Sequence, residues 1–133
     1  MPKVFSSEKQ KIGELGENIA AKFLVKHNFL ILDRNYTKKW GELDIVAEKE
    51  GKIYFIEVKS VSRETLPEAE DSGYRPEENM HPWKIKRMSR TIQTYLLNKK
   101  IPEDKEWQVN LIIVFLNQKT KEAKIKVVED LIL

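Results

Sequence analysis

Asp44, Glu57 and Lys59 stand out because they fall inside stretches that alternate like β-strands and so bury or half-bury them: Asp44 in residues 42–48, and Glu57 and Lys59 in residues 52–59. Glu57 and Lys59 are two apart, so on a strand they project from the same face. Their neighbours Phe55, Ile56 and Val58 are core-like, and a charge in such surroundings is costly unless it is paired or bound to a metal. The connection Lys49-Glu50-Gly51 is short and contains glycine, so the two stretches form an antiparallel hairpin. Asp44 then lies on the strand next to Glu57, near it if the register brings their faces together. Two carboxylates at such a distance repel and resist joint ionisation. A divalent cation with a preference for hard oxygen ligands, Mg²⁺ or Mn²⁺, removes the conflict. The alternative is an ion pair of Lys59 with Glu57 or Asp44 on a solvated sheet face, and these three residues alone do not choose between the two.

The elements that must hold these residues can be read on either side of them. Ser7-Glu8-Lys9-Gln10 has the form of a capping box. Ile12, Leu15, Ile19, Phe23 and His27 follow at spacings of three and four, which predicts an amphipathic helix over residues 7–27. Asn28 suits the left-handed position that ends such a helix. Residues 29–32, Phe-Leu-Ile-Leu, read as a short, well-buried strand, and residues 35–41 as a polar, basic loop. In the first strand of the hairpin, Leu43, Ile45 and Ala47 are assigned to one face and Glu42, Asp44 and Val46 to the other. In the second, Tyr54, Ile56 and Val58 oppose Phe55, Glu57 and Lys59. Residues 62–81 are acidic and contain two prolines, which predicts a mobile loop. From Pro82 to Lys100 the helical period returns through Ile85, Met88, Ile92, Tyr95 and Leu96, with Pro82 suited to a first helical turn. Residues 109–116 read as a central, nearly all-apolar strand and 123–128 as an alternating last strand. The order α-β-β-β-α-β-β predicts a single α/β sandwich domain over residues 1–133, built on a mixed five-stranded sheet with helices on its faces.

Composition narrows the chemistry. The chain of 133 residues has no cysteine, which excludes disulfide scaffolds, cysteine nucleophiles and thiolate metal sites. With only His27 and His81, a multi-histidine zinc site is not expected, and both histidines read as structural or surface residues. No apolar run approaches the roughly 20 residues needed to span a bilayer, and residues 1–11 lack the apolar core of a signal peptide. A cytoplasmic protein without a membrane partner is the expectation. Charged residues make up 34% of the chain, but Lys and Arg (24) nearly balance Asp and Glu (21), so the whole molecule is not a polycation. The basic charge is instead local: residues 84–100 contain six basic side chains and no acid.

Residues 41–60, GELDIVAEKEGKIYFIEVKS, resemble the PD-(D/E)XK nuclease signature, in which an Asp opens one strand and Glu-x-Lys follows on the next. With residues 13–24, GELGENIAAKFL, and the KxxR[LM] element Lys84-Ile85-Lys86-Arg87-Met88, the chain closely resembles the YraN-like family, a bacterial group related in fold to archaeal Holliday-junction resolvases. The resemblance implies a restriction-endonuclease-like fold. It implies Asp44 and Glu57 as metal ligands, with the Val58 carbonyl completing the protein shell. Lys59 would orient the attacking water or stabilise charge developing on the phosphate. Glu17 would support the metal directly or through water, with Glu14 and Glu42 as lower-ranked rival acids. Two departures stand out: Asn110, where the family often has an Asp, and the long acidic insertion at 62–81. Resolvase relatives act as dimers, so a homodimer is an open expectation, although no apolar stripe in the sequence demands one. Gly13, Gly16 and Ala20 form a small-residue track, read as close helix–sheet packing.

Two further groups bear on nucleic acid. Lys38-Lys39-Trp40 precedes the motif strand, where it could touch a backbone or stack on a base; a loop anchored by a buried tryptophan is the competing reading. Lys84, Lys86, Arg87 and Arg90 could contact phosphates. Trp83 and Trp107 are expected to be packing residues. The expected function is metal-dependent hydrolysis of DNA phosphodiester bonds, on branched or flapped DNA among other forms. The rivals are a nucleic-acid-binding module of the same fold that cleaves nothing, and a protein–protein adaptor whose carboxylates form only a structural ion site.

Overall fold

A computed structural model describes residues 7–62, 82–117 and 119–133. The element order is α1 (Glu8–Lys26), β1 (Leu30–Lys38), β2 (Gly41–Lys49), β3 (Lys52–Ser62), α2 (Pro82–Asn98), β4 (Trp107–Asn117) and β5 (Glu122–Val128), as the sequence predicts. The five strands form one sheet in the spatial order β1-β2-β3-β4-β5. Neighbours are antiparallel except β3 and β4, which are parallel. A parallel pair needs a crossover rather than a hairpin, and the segment that carries α2 supplies it. The predicted mobile loop lies outside the described residues apart from Ser62, which closes β3.

The capping box forms as read: Ser7 Oγ accepts from the Gln10 N–H, and Gln10 Oε1 accepts from the Ser7 N–H. Asn28 adopts φ 70, the left-handed turn that ends α1. The predicted stripe is met in part: Ile12, Ile19 and Phe23 are half-buried against the core. Leu15 is exposed, as is His27, while Gly16, Ala20, Ala21 and Leu24 are buried. The reason is the small-residue track: a Cβ on Gly16 would stand 1.8 Å from Ser60 Oγ, so α1 rests almost directly on β3 there. Large side chains cannot occupy that line and flank it instead. Gly13 does not share the role, since a Cβ there meets nothing within 4 Å.

Each helix covers one face. Ala20, Ala21 and Leu24 of α1 pack with Ile45, Ala47, Ile56, Ile112, Val114 and Leu116. Met88, Ile92 and Tyr95 of α2 pack with Leu43, Val46, Ile53, Phe55 and Val109. Trp107 joins this second cluster edge-on to Phe55, the packing role expected of it. The side chain of Trp83 lies outside the described residues, as does His81. β4, between β3 and β5, is buried on both sides, which explains its unbroken apolar run.

Three sequence expectations change. The short buried strand at 29–32 is instead the nine-residue edge strand β1, with Leu30 63% exposed and its register to β2 shifted between Ile31 and Asp33. The polar loop expected from residue 35 is strand through Lys38, leaving only Lys39 and Trp40 as the turn. An edge strand pairs through its backbone and needs few apolar side chains, so its polarity hid it. In β2, Leu43 joins Val46 on the α2 face, whereas Ile45 and Ala47 face α1. Strict alternation fails at Asp44, where β2 leaves β3.

The two glycines of α1 should respond oppositely to alanine. Gly16→Ala forces α1 away from Ser60 and is expected to cost about 1–3 kcal/mol. Gly13→Ala, in a helix interior with open space, should gain about 0.5–1 kcal/mol. Urea denaturation of both variants checks the pair.

Candidate active site

The site begins where a ladder ends. β2 pairs with β3 from Lys49–Lys52 to Ile45–Ile56 and no further, whereas β3 continues beside β4 as far as Ser62–Leu116. Beyond Ile45, β2 no longer bonds to β3 through its backbone. The Asp44 side chain takes over: its Oδ2 accepts the Val58 N–H at 2.9 Å. The start of β2 is held off by α2, since a Cβ on Gly41 would lie 2.7 Å from Thr91 Oγ1. Glu57, one residue before Val58, is 7% exposed, so the structure brings two carboxylates together at the mouth of this split.

Their electrostatics follow from burial. The Asp44 carboxyl is pushed up from 3.8 to about 8, first by desolvation and then by the charge of Glu57, with a hydrogen bond to Glu57 and the charge of Glu17 adding to it. The Val58 N–H pulls the other way. Glu57 is ion-paired to Lys84, whose side chain is 47% exposed. Glu17 faces Asp44 from α1 but is held at 3.1 Å by Arg34, which also donates to Asn18 Oδ1 at 2.8 Å. Asp44, Glu57 and Val58 are therefore brought to one place, whereas Glu17 is near enough for its charge to act on Asp44 but is turned towards Arg34 of β1 and lines neither cleft.

Two clefts open on either side of the Glu57–Lys84 pair. One, of about 610 Å³, is lined by Thr37, Lys38, Lys39, Gly41, Glu42, Asp44, Glu57, Val58, Lys84, Arg87 and Met88. The other, of about 550 Å³, is lined by Lys9, Ile12, Gly13, Glu57, Val58, Lys59, Ser60, Ser62, Lys84 and Leu111. Lys59 thus stands across Glu57 and Val58 from Asp44, in the second cleft. Carboxylates on the floor are ringed by ammonium and guanidinium groups, an arrangement suited to a polyanion that brings its own negative charge.

The remaining sequence candidates divide. Lys38, Lys39 and Arg87 line the first cleft, as expected of phosphate contacts. Trp40 and Arg90 are engaged with each other, the guanidinium 4.4 Å from the ring centroid. The Trp40 Nε1–H is buried with no partner among the described residues, so the anchoring reading describes this residue better than a free stacking platform. Lys86 is exposed and lines neither cleft. Glu42 lines the first cleft, while the exposed Glu14 lines neither. Asn110 pairs with Ile56, next to Glu57, but lines neither cleft: its Oδ1 accepts from Gln108 Nε2 and from the Asp130 N–H, tying down the chain after β5.

Three residues were missed or placed differently by sequence reading. Arg34 and Lys9 carried no motif. Lys84, expected on an outward basic face, instead turns to Glu57. Its signal was present, since it lies one helical turn before the buried Met88 on the same stripe.

Residues 16–127, a span that includes Glu17, Asp44, Glu57, Lys59 and Lys84, match the model of a family described as "Uncharacterised protein family UPF0102". A UPF0102 protein of Campylobacter fetus subsp. fetus (strain 82-40) is 38% identical over 106 residues, 80% of this chain and 85% of the relative. One from Campylobacter hominis is 35% identical over 102 residues, 77% and 81% of the two chains. One from Wolinella succinogenes is 37% identical over 89 residues, 67% and 73% of the two.

Asp44 should cost the metal-free protein stability as pH rises. Below about pH 4 its carboxyl is neutral in both folded and unfolded states, and no penalty applies. Between 3.8 and about 8 the unfolded chain ionises while the folded site resists, so stability is lost across that window and levels off above it. Asp44→Asn removes this dependence while keeping an acceptor for the Val58 N–H. In EDTA it is expected to be about 1–3 kcal/mol more stable than the wild type at pH 7, with the difference vanishing near pH 4. Chemical denaturation of both proteins between pH 4 and 8 measures the difference.

Proposed function

The chain belongs to the uncharacterised protein family UPF0102, and from the site its own residues build we propose that it is a divalent-metal-dependent nuclease hydrolysing DNA phosphodiester bonds. Branched or flapped DNA is the substrate class suggested by the resemblance to resolvase-type nucleases. The observation that carries the reading is the juxtaposition of Asp44 and Glu57 on the floor of clefts rimmed by Lys38, Lys39, Arg87, Lys59 and Lys9.

The donor set fits Mg²⁺ or Mn²⁺. Two carboxylates that resist joint ionisation are what a hard cation would stabilise. No cluster of three or more His, Cys, Asp or Glu side chains that could hold a metal occurs among the described residues, which disfavours an all-protein cage. Mg²⁺ is commonly held by one or two carboxylates with water and substrate phosphate supplying the rest. Asp44 and Glu57 would be the side-chain ligands, with the Val58 carbonyl beside them and Glu17 acting from α1. Such an ion acidifies water and neutralises charge on the phosphoryl oxygens. Lys59 places a fixed positive charge near the reacting phosphate, the kind of preorganised field that favours a more anionic transition state. The cations of the rim bind the backbone and set its path across the carboxylates.

The pairing of Glu57 with Lys84 is the one observation that favours the rival reading, a DNA-binding module in which the acid is already neutralised. A panel of single-stranded, duplex, flap and four-way-junction DNAs incubated with Mg²⁺ and Mn²⁺ separates the two. The nuclease reading expects metal-dependent cutting of at least one, abolished by EDTA. Lys59→Met should then keep metal affinity, and DNA affinity nearly intact because the other rim cations remain, but cut about 10²–10³ more slowly in single turnover. Salt-dependent DNA binding with no cutting of any substrate would leave the binding module, and absence of DNA binding would leave an adaptor.

A further inference from the structure

Lys84 occupies an unusual place for a lysine. It lies in the first turn of α2, where the helix dipole disfavours positive charge and where no acid is present to offset it. Its partner is not on the helix but across the split, Glu57 of β3, whose side chain is 9% exposed. The pair stands where the two clefts meet, and both clefts are lined by Glu57, Val58 and Lys84. The lysine stem is long, its head is half exposed, and Met88 one turn later anchors the helix in the core. An ammonium on Glu57 Oε2 neutralises the carboxylate that a divalent cation would bind, so the two compete for its charge.

We propose that Lys84 is an internal counter-ion that stands in for the divalent metal at Glu57, and that metal binding releases its ammonium into the clefts to meet the substrate phosphate. This rests on the metal-dependent reading above and adds to it a coupling between metal and polyanion. Without metal, Lys84 offsets the cost of keeping Glu57 charged and buried. When metal arrives, the same lysine is set free beside the position where a phosphate would approach. Substrate that captures the ammonium then removes the competitor, so each ligand favours the other by the same factor. Lys84 is a positioning residue in this scheme and touches the reacting atoms only through the phosphate it binds.

Calorimetry with Mn²⁺ alone, without DNA, on the wild type, Lys84→Met and Lys84→Arg tests the competition. Lys84→Met is expected to bind Mn²⁺ about tenfold more tightly, whereas Lys84→Arg, which keeps the charge, should stay within a few-fold of the wild type. A second measurement needs no variant: the rate of modification of Lys84 by an amine-reactive reagent, followed by mass spectrometry, should rise when Mn²⁺ is added. Equal or weaker Mn²⁺ binding by Lys84→Met, or a Lys84 modification rate indifferent to Mn²⁺, overturns the counter-ion role and leaves the metal site standing. Failure of all three proteins to bind Mn²⁺ overturns the metal-dependent reading and this proposal with it.

Discussion

Where β2 parts from β3, the Val58 N–H would lose its ladder partner, and the Asp44 carboxylate takes its place at 2.9 Å. That hydrogen bond fixes the geometry of the site. It holds Asp44 at the mouth of the split, sets it beside Glu57, and keeps open the gap into which both clefts lead. The split is supported from both sides. Gly41 sits tightly against Thr91 and the Arg87 backbone of α2, while Gly16 lets α1 close down on Ser60. Both contacts depend on the absence of a side chain, which draws each helix nearer to the strands that carry the carboxylates.

Burying acids at a strand divergence has a cost, and the protein meets it with cations supplied from outside the motif. Arg34 of β1 holds Glu17, and Lys84 of α2 holds Glu57. Asp44 has no such cation among the described residues and is the group whose carboxyl is pushed far up. Such a concentration of strain in one buried group, in a cleft and beside a second acid, is characteristic of functional sites. A separate network, Tyr95 with Asp33 and Lys105 with Glu48, ties α2 and the segment after it to the outer strands. These bonds lie away from the clefts and support the frame.

Hydrophobic periodicity gave the element order, the hairpin, the capping box, the left-handed Asn28 and the doubly buried β4, because those depend on local spacing and on backbone conformation. It misjudged β1, whose stability lies in backbone pairing that side chains do not report. On α1 it placed Ile12, Ile19 and Phe23 towards the core but also Leu15 and His27, which are exposed. The close approach at Gly16 was legible only in the small-residue track. Glu57 and Lys59 were placed on one face correctly, since a two-residue spacing on a strand leaves no freedom.

The sequence by itself determined which residues could do chemistry: the acids at 44 and 57, the lysine at 59, and a basic helix without a counter-charge. Only the tertiary structure decided how these charges are partnered. Whether Asp44 meets Glu57 depends on where the β2–β3 ladder stops, at Ile45–Ile56, just before the stretch in which Gly41 lies close against Thr91 of α2, some fifty residues away in the chain. Whether Lys84 faces solvent or Glu57 depends on how α2 is rotated over the sheet, which Met88, Ile92 and Tyr95 fix by packing. Ion pairs between distant segments have no signature in local spacing, because the Coulomb interaction acts through space and only the folded chain brings its partners within reach.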